Sequence, residues 1–124
     1  MISYFYDTYA LIEYINENPK YKEYFQENKG VTTKLNLMEL YYAMLKDINK
    51  EKAEIAFDSL LSMVTEIKDE SIKEAMKLRL DFKNKKLNIS YVDAIGYQTS
   101  LENGIKFLTG DREFKGMKNV QFVK

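Results

Sequence analysis

The sequence predicts an α/β domain, a three-layer sandwich on a mainly parallel sheet, and three observations lead there. Short apolar runs with strand character alternate with longer runs of helical period. The 124 residues suit one domain, 1–124, with a single core. Four acids fall just past the predicted strands or in the first turns of helices, where an open parallel sheet places its ligand site.

Taken in order, residues 2–6, ISYFY, are β-branched and aromatic and read as a buried strand ending at Asp7. Leu11, Ile12 and Ile15 at helical spacing predict a helix from Thr8 to Ile15. Asn18-Pro19 breaks it, and Pro19 suits the first turn of a short second helix that runs to about residue 28, before the stop signal Gly30. Residues 31–33 read as a short strand. Leu35, Met38, Tyr42 and Leu45 recur on one face of a following helix. Ala53, Ala56, Phe57, Leu60 and Leu61 mark another, and residues 64–67 suit a third strand. Asp69 can cap a helix over roughly 70–83, with Ile72, Ala75, Met76 and Leu80 inward; the lysines at 83, 85 and 86 complement its C-terminal dipole. Ser90 starts a last helix. Residues 105–108 and 120–123 then give a fourth and a short fifth strand.

Composition narrows the chemistry. The chain has no Cys and no His, which removes thiol catalysis, disulfides, zinc fingers and any imidazole base. Carboxylates, hydroxyls, Lys, Arg, or a hard metal on oxygen ligands remain. Net charge is zero, but residues 1–66 hold seven basic and eleven acidic side chains and residues 67–124 twelve and eight, so a basic surface can lie beside an acidic one. No leader peptide or membrane span is legible, and a cytoplasmic protein is the expectation.

Asp7 follows the first strand, Glu39 lies early in the helix after the second, Asp93 begins the helix before the fourth, and Asp111 follows the fourth. The topology converges them on one edge. Clustered carboxylates repel, and keeping several ionised together needs a cation; oxygen ligands alone suit Mg²⁺ or Mn²⁺. Acids at helix starts are also ordinary caps: Ser90 to Asp93 and Asn36 to Glu39 resemble capping boxes, and Asp7 and Asp111 suit caps or turns. Capping explains any one of them, but not four at one edge, nor an Asp directly after a run as apolar as ISYFY. Small and hydroxyl residues surround them. Thr8 and Thr109 can orient carboxylates, and Gly110 suits a positive-φ turn. Lys34 and Arg112 flank the site and can hold a phosphate, though solvated surface charge is their default. Tyr4, Tyr6, Tyr9, Tyr41 and Tyr42 read as core. Tyr21, Tyr24 and Phe25 suit either an interface or packing under the second helix.

These residues resemble the PIN domain, especially the toxin ribonucleases of bacterial and archaeal toxin–antitoxin pairs. YFYDTYALI carries the first acid, Asp7, with Thr8 beside it. TTKLNLMELYYA carries the second, Glu39. ISYVDAIGYQTSLENGIKFLTGDREF carries Asp93 and Asp111, with Thr-Gly-Asp after the strand and a Phe three residues on. The resemblance implies a parallel sheet of order 3-2-1-4-5 with helices on both sides. It implies hydrolysis of RNA phosphodiesters that depends on Mg²⁺ or Mn²⁺, with Asp7, Glu39, Asp93 and Asp111 catalytic, Thr8 and Thr109 supporting, and Asp7, Asp93 and Asp111 as metal ligands. It also implies a cognate antitoxin and a homodimer. Glu113, where many relatives carry Asp or another polar residue, is either a fifth acid or a residue that shapes the loop. Two alternatives compete: a non-catalytic module on the same scaffold, and a receiver-type phosphoacceptor. The second wants paired acids after the first strand and an Asp after the third, and fits poorly.

Overall fold

The computed structural model describes residues 1–124. In chain order the elements are β1 (Ile2–Tyr6), α1 (Thr8–Ile15), α2 (Lys22–Gln26), β2 (Lys29–Val31), α3 (Lys34–Asp47), α4 (Lys50–Leu60), α5 (Asp69–Asn84), α6 (Tyr91–Glu102), β3 (Lys106–Thr109) and β4 (Val120–Phe122). Single 3₁₀ turns follow α4 at Leu61–Met63 and β3 at Arg112–Phe114. The four strands form one sheet in the order β2-β1-β3-β4, and every pairing is parallel.

Successive strand side chains point to opposite faces, and the two central strands use this to build a core on each. Tyr6 and Leu108 face one way, into a cluster with Leu11, Tyr21, Phe25, Leu37, Leu40 and Leu60 from α1–α4. Phe5 and Phe107 face the other, packing with Ala75 of α5, Ala94, Ile95 and Tyr97 of α6, and Phe114. A sheet covered on both faces explains why β1 reads as a continuous apolar run. The three layers are therefore as expected.

Several details differ. The strand expected over 64–67 is reduced to one parallel bridge, Thr32 to Val64, flanked by the Thr32 N–H to Met63 carbonyl bond at 3.0 Å and the Thr65 N–H to Thr32 carbonyl bond at 2.8 Å. It lies where the third strand of a 3-2-1-4-5 sheet would run. It stops there because β2 ends at Val31 and the chain turns into α3 at Thr33, leaving no edge to pair with. The α3 face is corrected as well: Met38, Tyr42 and Leu45 are exposed, Tyr42 by 66%, and the buried stripe is Asn36, Leu37, Leu40 and Met44. Two apolar stripes compete on α3, and the stripe that carries the Thr33 cap and Asn36 faces inward. In α5, Ala75 is buried and Met76 packs against the second cluster as expected, but Ile72 and Leu80 are exposed and Ser71 is buried. The Ser71 hydroxyl donates to Glu102 at 2.7 Å and fixes that rotation against α6. Lys68, not Asp69, is the α5 cap residue. Leu61 is also exposed, in the 3₁₀ turn after α4.

Of the tyrosines read as core, Tyr6 is fully buried, Tyr4, Tyr9 and Tyr41 pack against the first cluster, and Tyr42 does not. Tyr21 and Phe25 are packed inside: Phe25 stacks between Tyr6 and Tyr14, with centroids 3.9 and 4.1 Å away. No helix is long and apolar enough to cross a membrane.

Candidate active site: carboxylates at the carboxyl edge of the sheet

All four acids lie at the edge where the parallel strands end. β1 delivers Asp7, which is 2% exposed. It is also the cap of α1, its Oδ1 accepting from the Ala10 N–H at 2.8 Å. Thr33, not Asn36, caps α3, so the capping box expected from Asn36 to Glu39 does not form and Glu39 falls in the second turn, half-buried. Ser90 caps α6 by accepting from the Asp93 N–H at 3.0 Å, as the capping pattern predicted, and places Asp93 in the first turn. Asp111 follows β3 and caps the short 3₁₀ turn, accepting from the Glu113 N–H at 3.0 Å. Two of the acids, Asp7 and Asp111, are thus caps themselves, and the helices of Glu39 and Asp93 are capped by Thr33 and Ser90.

Burial raises the Asp7 carboxyl well above the usual carboxylate range; the Thr109 hydroxyl and the Ala10 N–H pull it down, and the Asp93 and Asp111 charges push it further up. Asp93 is pushed up to about 6, first by burial, then by Glu39 and Asp111, against the hydrogen bonds of Ser90. Every charge that acts on Asp7 or Asp93 is another carboxylate. None of the three ion pairs in the protein involves a site acid. As arranged, no three of the acids close to joint ligating distance around one point. Lys34 and Arg112 are exposed at the rim and pair with no acid.

The hydroxyls play defined parts. The Thr109 Oγ1 accepts from the Asp111 N–H at 3.0 Å, so one threonine touches the settings of two acids. The Thr8 Oγ1 donates to Glu39 Oε1 at 2.5 Å and accepts from Asn36 Nδ2 at 3.1 Å. Asn36 Oδ1 in turn accepts from the Thr33 hydroxyl at 2.6 Å. Asn36 was legible only as a cap; the sign of a further role is a fully buried amide on an otherwise apolar stripe. The Glu113 side chain is exposed, and its backbone N–H is what Asp111 holds. Gly110 does not have positive φ; a side chain there would strike the Tyr9 ring and the Val123 carbonyl, so close approach and not turn geometry calls for glycine. The four main surface clefts are lined by other residues.

The PIN domain family matches residues 4–120 of this chain. No curated protein matches it by sequence. Among solved structures it is similar to a DNA-bound VapBC from Salmonella typhimurium, with a TM-score of 0.80 at 19% identity, covering 99% of this chain and 98% of that one. It is equally similar to VapC20 of Mycobacterium tuberculosis, described as a Sarcin-Ricin loop cleaving toxin, with a TM-score of 0.80 at 19% identity over 95% and 97% of the two chains. VapBC2 from Rickettsia felis, bound to a DNA fragment from its promoter, gives 0.75 at 22% identity over 99% and 98%.

Proposed function

We propose that this chain, which belongs to the PIN domain family, is a cytoplasmic endoribonuclease dependent on Mg²⁺ or Mn²⁺, and the toxin of a toxin–antitoxin pair. One observation carries the reading: a buried Asp7 and a half-buried Asp93 meet only other carboxylates at a sheet edge with no basic partner. Structure of that kind costs stability and is not needed for capping, so it supports a site built for a cation.

The donor set fits a hard divalent ion, since it offers only carboxylate and hydroxyl oxygens. Asp7, Asp93 and Asp111 would hold it. When bound, such an ion supplies Lewis acidity at the phosphoryl oxygen and activates water at neutral pH. As ligands of such an ion, Asp7 and Asp93 would release the protons that burial and like charge favour on them. Glu39 has one oxygen committed to Thr8, and its other oxygen would orient a water against the scissile phosphorus. Thr109 holds Asp7 and the Asp111 backbone in one geometry.

The toxin role is supported by the likeness to VapBC complexes. A cognate antitoxin and a second copy of the chain are the partners proposed. Apolar Met38, Tyr42 and Leu45, left in solvent on α3, support a protein-covered surface. Cleavage of short single-stranded RNA by the purified chain, with and without Mn²⁺ and in the Asp7→Asn variant, tests the reading. Metal-independent cleavage, or full activity in Asp7→Asn, would overturn it. Growth arrest on expression, relieved by the product of the neighbouring gene, tests the toxin role.

A further inference from the structure

Tyr91 is the first residue of α6, between the cap Ser90 and the site acid Asp93. Its side chain belongs to neither core cluster and is 61% exposed. Leaving that much aromatic surface in water at a helix start gains nothing for the fold. Yet the ring does not hang free. The Arg79 guanidinium of α5 lies over it, 4.1 Å from the centroid. Arg79 is itself tied down, its Nε donating to the Ile89 carbonyl at 3.1 Å. The ring is therefore braced on one side and presented to solvent at the start of α6, two residues before Asp93. Lys83 lies one helical turn beyond Arg79 on α5 and on the same face. It is exposed and pairs with no acid.

We propose that Tyr91, braced by Arg79, is a stacking platform that seats one base of a single-stranded RNA next to the carboxylate edge, with Lys83 meeting the adjoining phosphate. The inference rests on the ribonuclease reading above and adds to it how the substrate is held. A cluster of carboxylates repels a polyanion, so attraction has to come from beside the site. A basic pair and an aromatic face are the two elements that hold single strands without reading sequence. An unstacked base can lie on the ring, whereas a base within a duplex cannot reach it, so the platform selects single-stranded segments. Arg79 also lowers the ordering cost, because the ring is held before the base arrives.

The test measures binding of a short fluorescein-labelled oligouridylate by anisotropy in the Asp7→Asn background, and cleavage kinetics in chains with that residue intact. Tyr91→Leu should weaken binding about tenfold, and the loss should appear in KM and not in kcat. Tyr91→Phe should bind like the parent, and Tyr91→Trp at least as tightly. A 2-aminopurine in the oligonucleotide should lose fluorescence on binding to the parent and to Tyr91→Phe, but not to Tyr91→Leu. Lys83→Gln should lower the slope of log affinity against log salt by about 0.7. Melting temperatures recorded alongside separate a folding defect from a binding one, and the Trp variant carries the test if the Leu variant does not fold. Equal binding and equal quenching across Leu, Phe and Trp would overturn the platform while RNA cleavage persists. A wild-type chain that neither binds nor cleaves RNA would sink the ribonuclease reading, and the platform with it.

Discussion

The chain through Thr33, Asn36, Thr8 and Glu39 and the group of Asp7, Asp93 and Asp111 share one edge of the sheet and are built on opposite terms. In the first, a hydroxyl, an amide, a second hydroxyl and one carboxylate oxygen hand hydrogen bonds along at 2.6, 3.1 and 2.5 Å. Such a network of hydrogen bonds fixes geometry. In the second, hydrogen bonds are also met, since no buried side-chain polar atom in the protein lacks a partner. What is unmet is charge. On the function proposed above, hydrogen bonding makes the first group a scaffold, and unmet charge makes the second a site. If that contrast is right, neutral replacements should hurt the scaffold and relieve the site.

The largest effect is expected at Asp7. Asp7→Asn keeps the oxygen that accepts from Ala10 and removes the charge. Cleavage should fall about a thousandfold or more, roughly 4 kcal/mol of transition-state stabilisation, while the metal-free protein melts no lower at pH 7.5. A large drop in melting temperature would place Asp7 in the scaffold. Next is the cation itself. Mn²⁺ at a hundred times its Kd should stabilise the wild type by about 2.7 kcal/mol. The gain should shrink at pH 5, because protons hold the same carboxylates, and should be weaker in Asp7→Asn. Calorimetric melts with and without metal read both effects.

Asp93 gives the sign of the pH dependence. Its folded pKa, about 6, lies above the ordinary carboxylate value. Between about pH 4 and 6 the folded state therefore binds more protons than the unfolded one, and stability falls as pH rises through that window. Asp93→Asn removes this slope. At pH 7.5 it should raise stability by on the order of 1–3 kcal/mol in metal-free buffer, and at pH 4 leave it nearly unchanged. A variant that is less stable than wild type at pH 7.5 would show that Asp93 is structural.

The same contrast explains what could be read in advance. Asp7 was legible because an acid straight after ISYFY conflicts with local burial, and Asp93 because Ser90 announces a helix start. Neither depended on tertiary contacts. The inner face of α3 was not legible, because Leu37, Leu40 and Met44 recur with the same period as Met38, Tyr42 and Leu45, and only packing against α1 and α4 chooses between them. The strand over 64–67 was overread because β-propensity says nothing of the length of the partner edge. Asn36 was read as a cap, and its reach to Thr8 requires α1 and α3 to be side by side. Tyr91 lay hidden among ten tyrosines, since composition predicts aromatic core and cannot say which ring is left out.

The smallest expected effect is the sharpest test of the scaffold. Thr8→Val keeps the shape and removes one hydroxyl that both donates to Glu39 and accepts from Asn36. Asn36 is fully buried, so its Nδ2 would lose a partner that water cannot replace. The cost should be about 1 kcal/mol of stability. Glu39 would lose its tether, so kcat should fall while metal affinity, read from the Mn²⁺-induced shift in melting temperature, changes little. Thr8→Ser restores the hydroxyl without the methyl and should recover most of the kcat. If Val and Ser behave alike in kcat, the hydroxyl does not position Glu39. If Val weakens Mn²⁺ binding as much as Asp7→Asn does, Glu39 belongs with the charged group and not with the neutral chain that holds it.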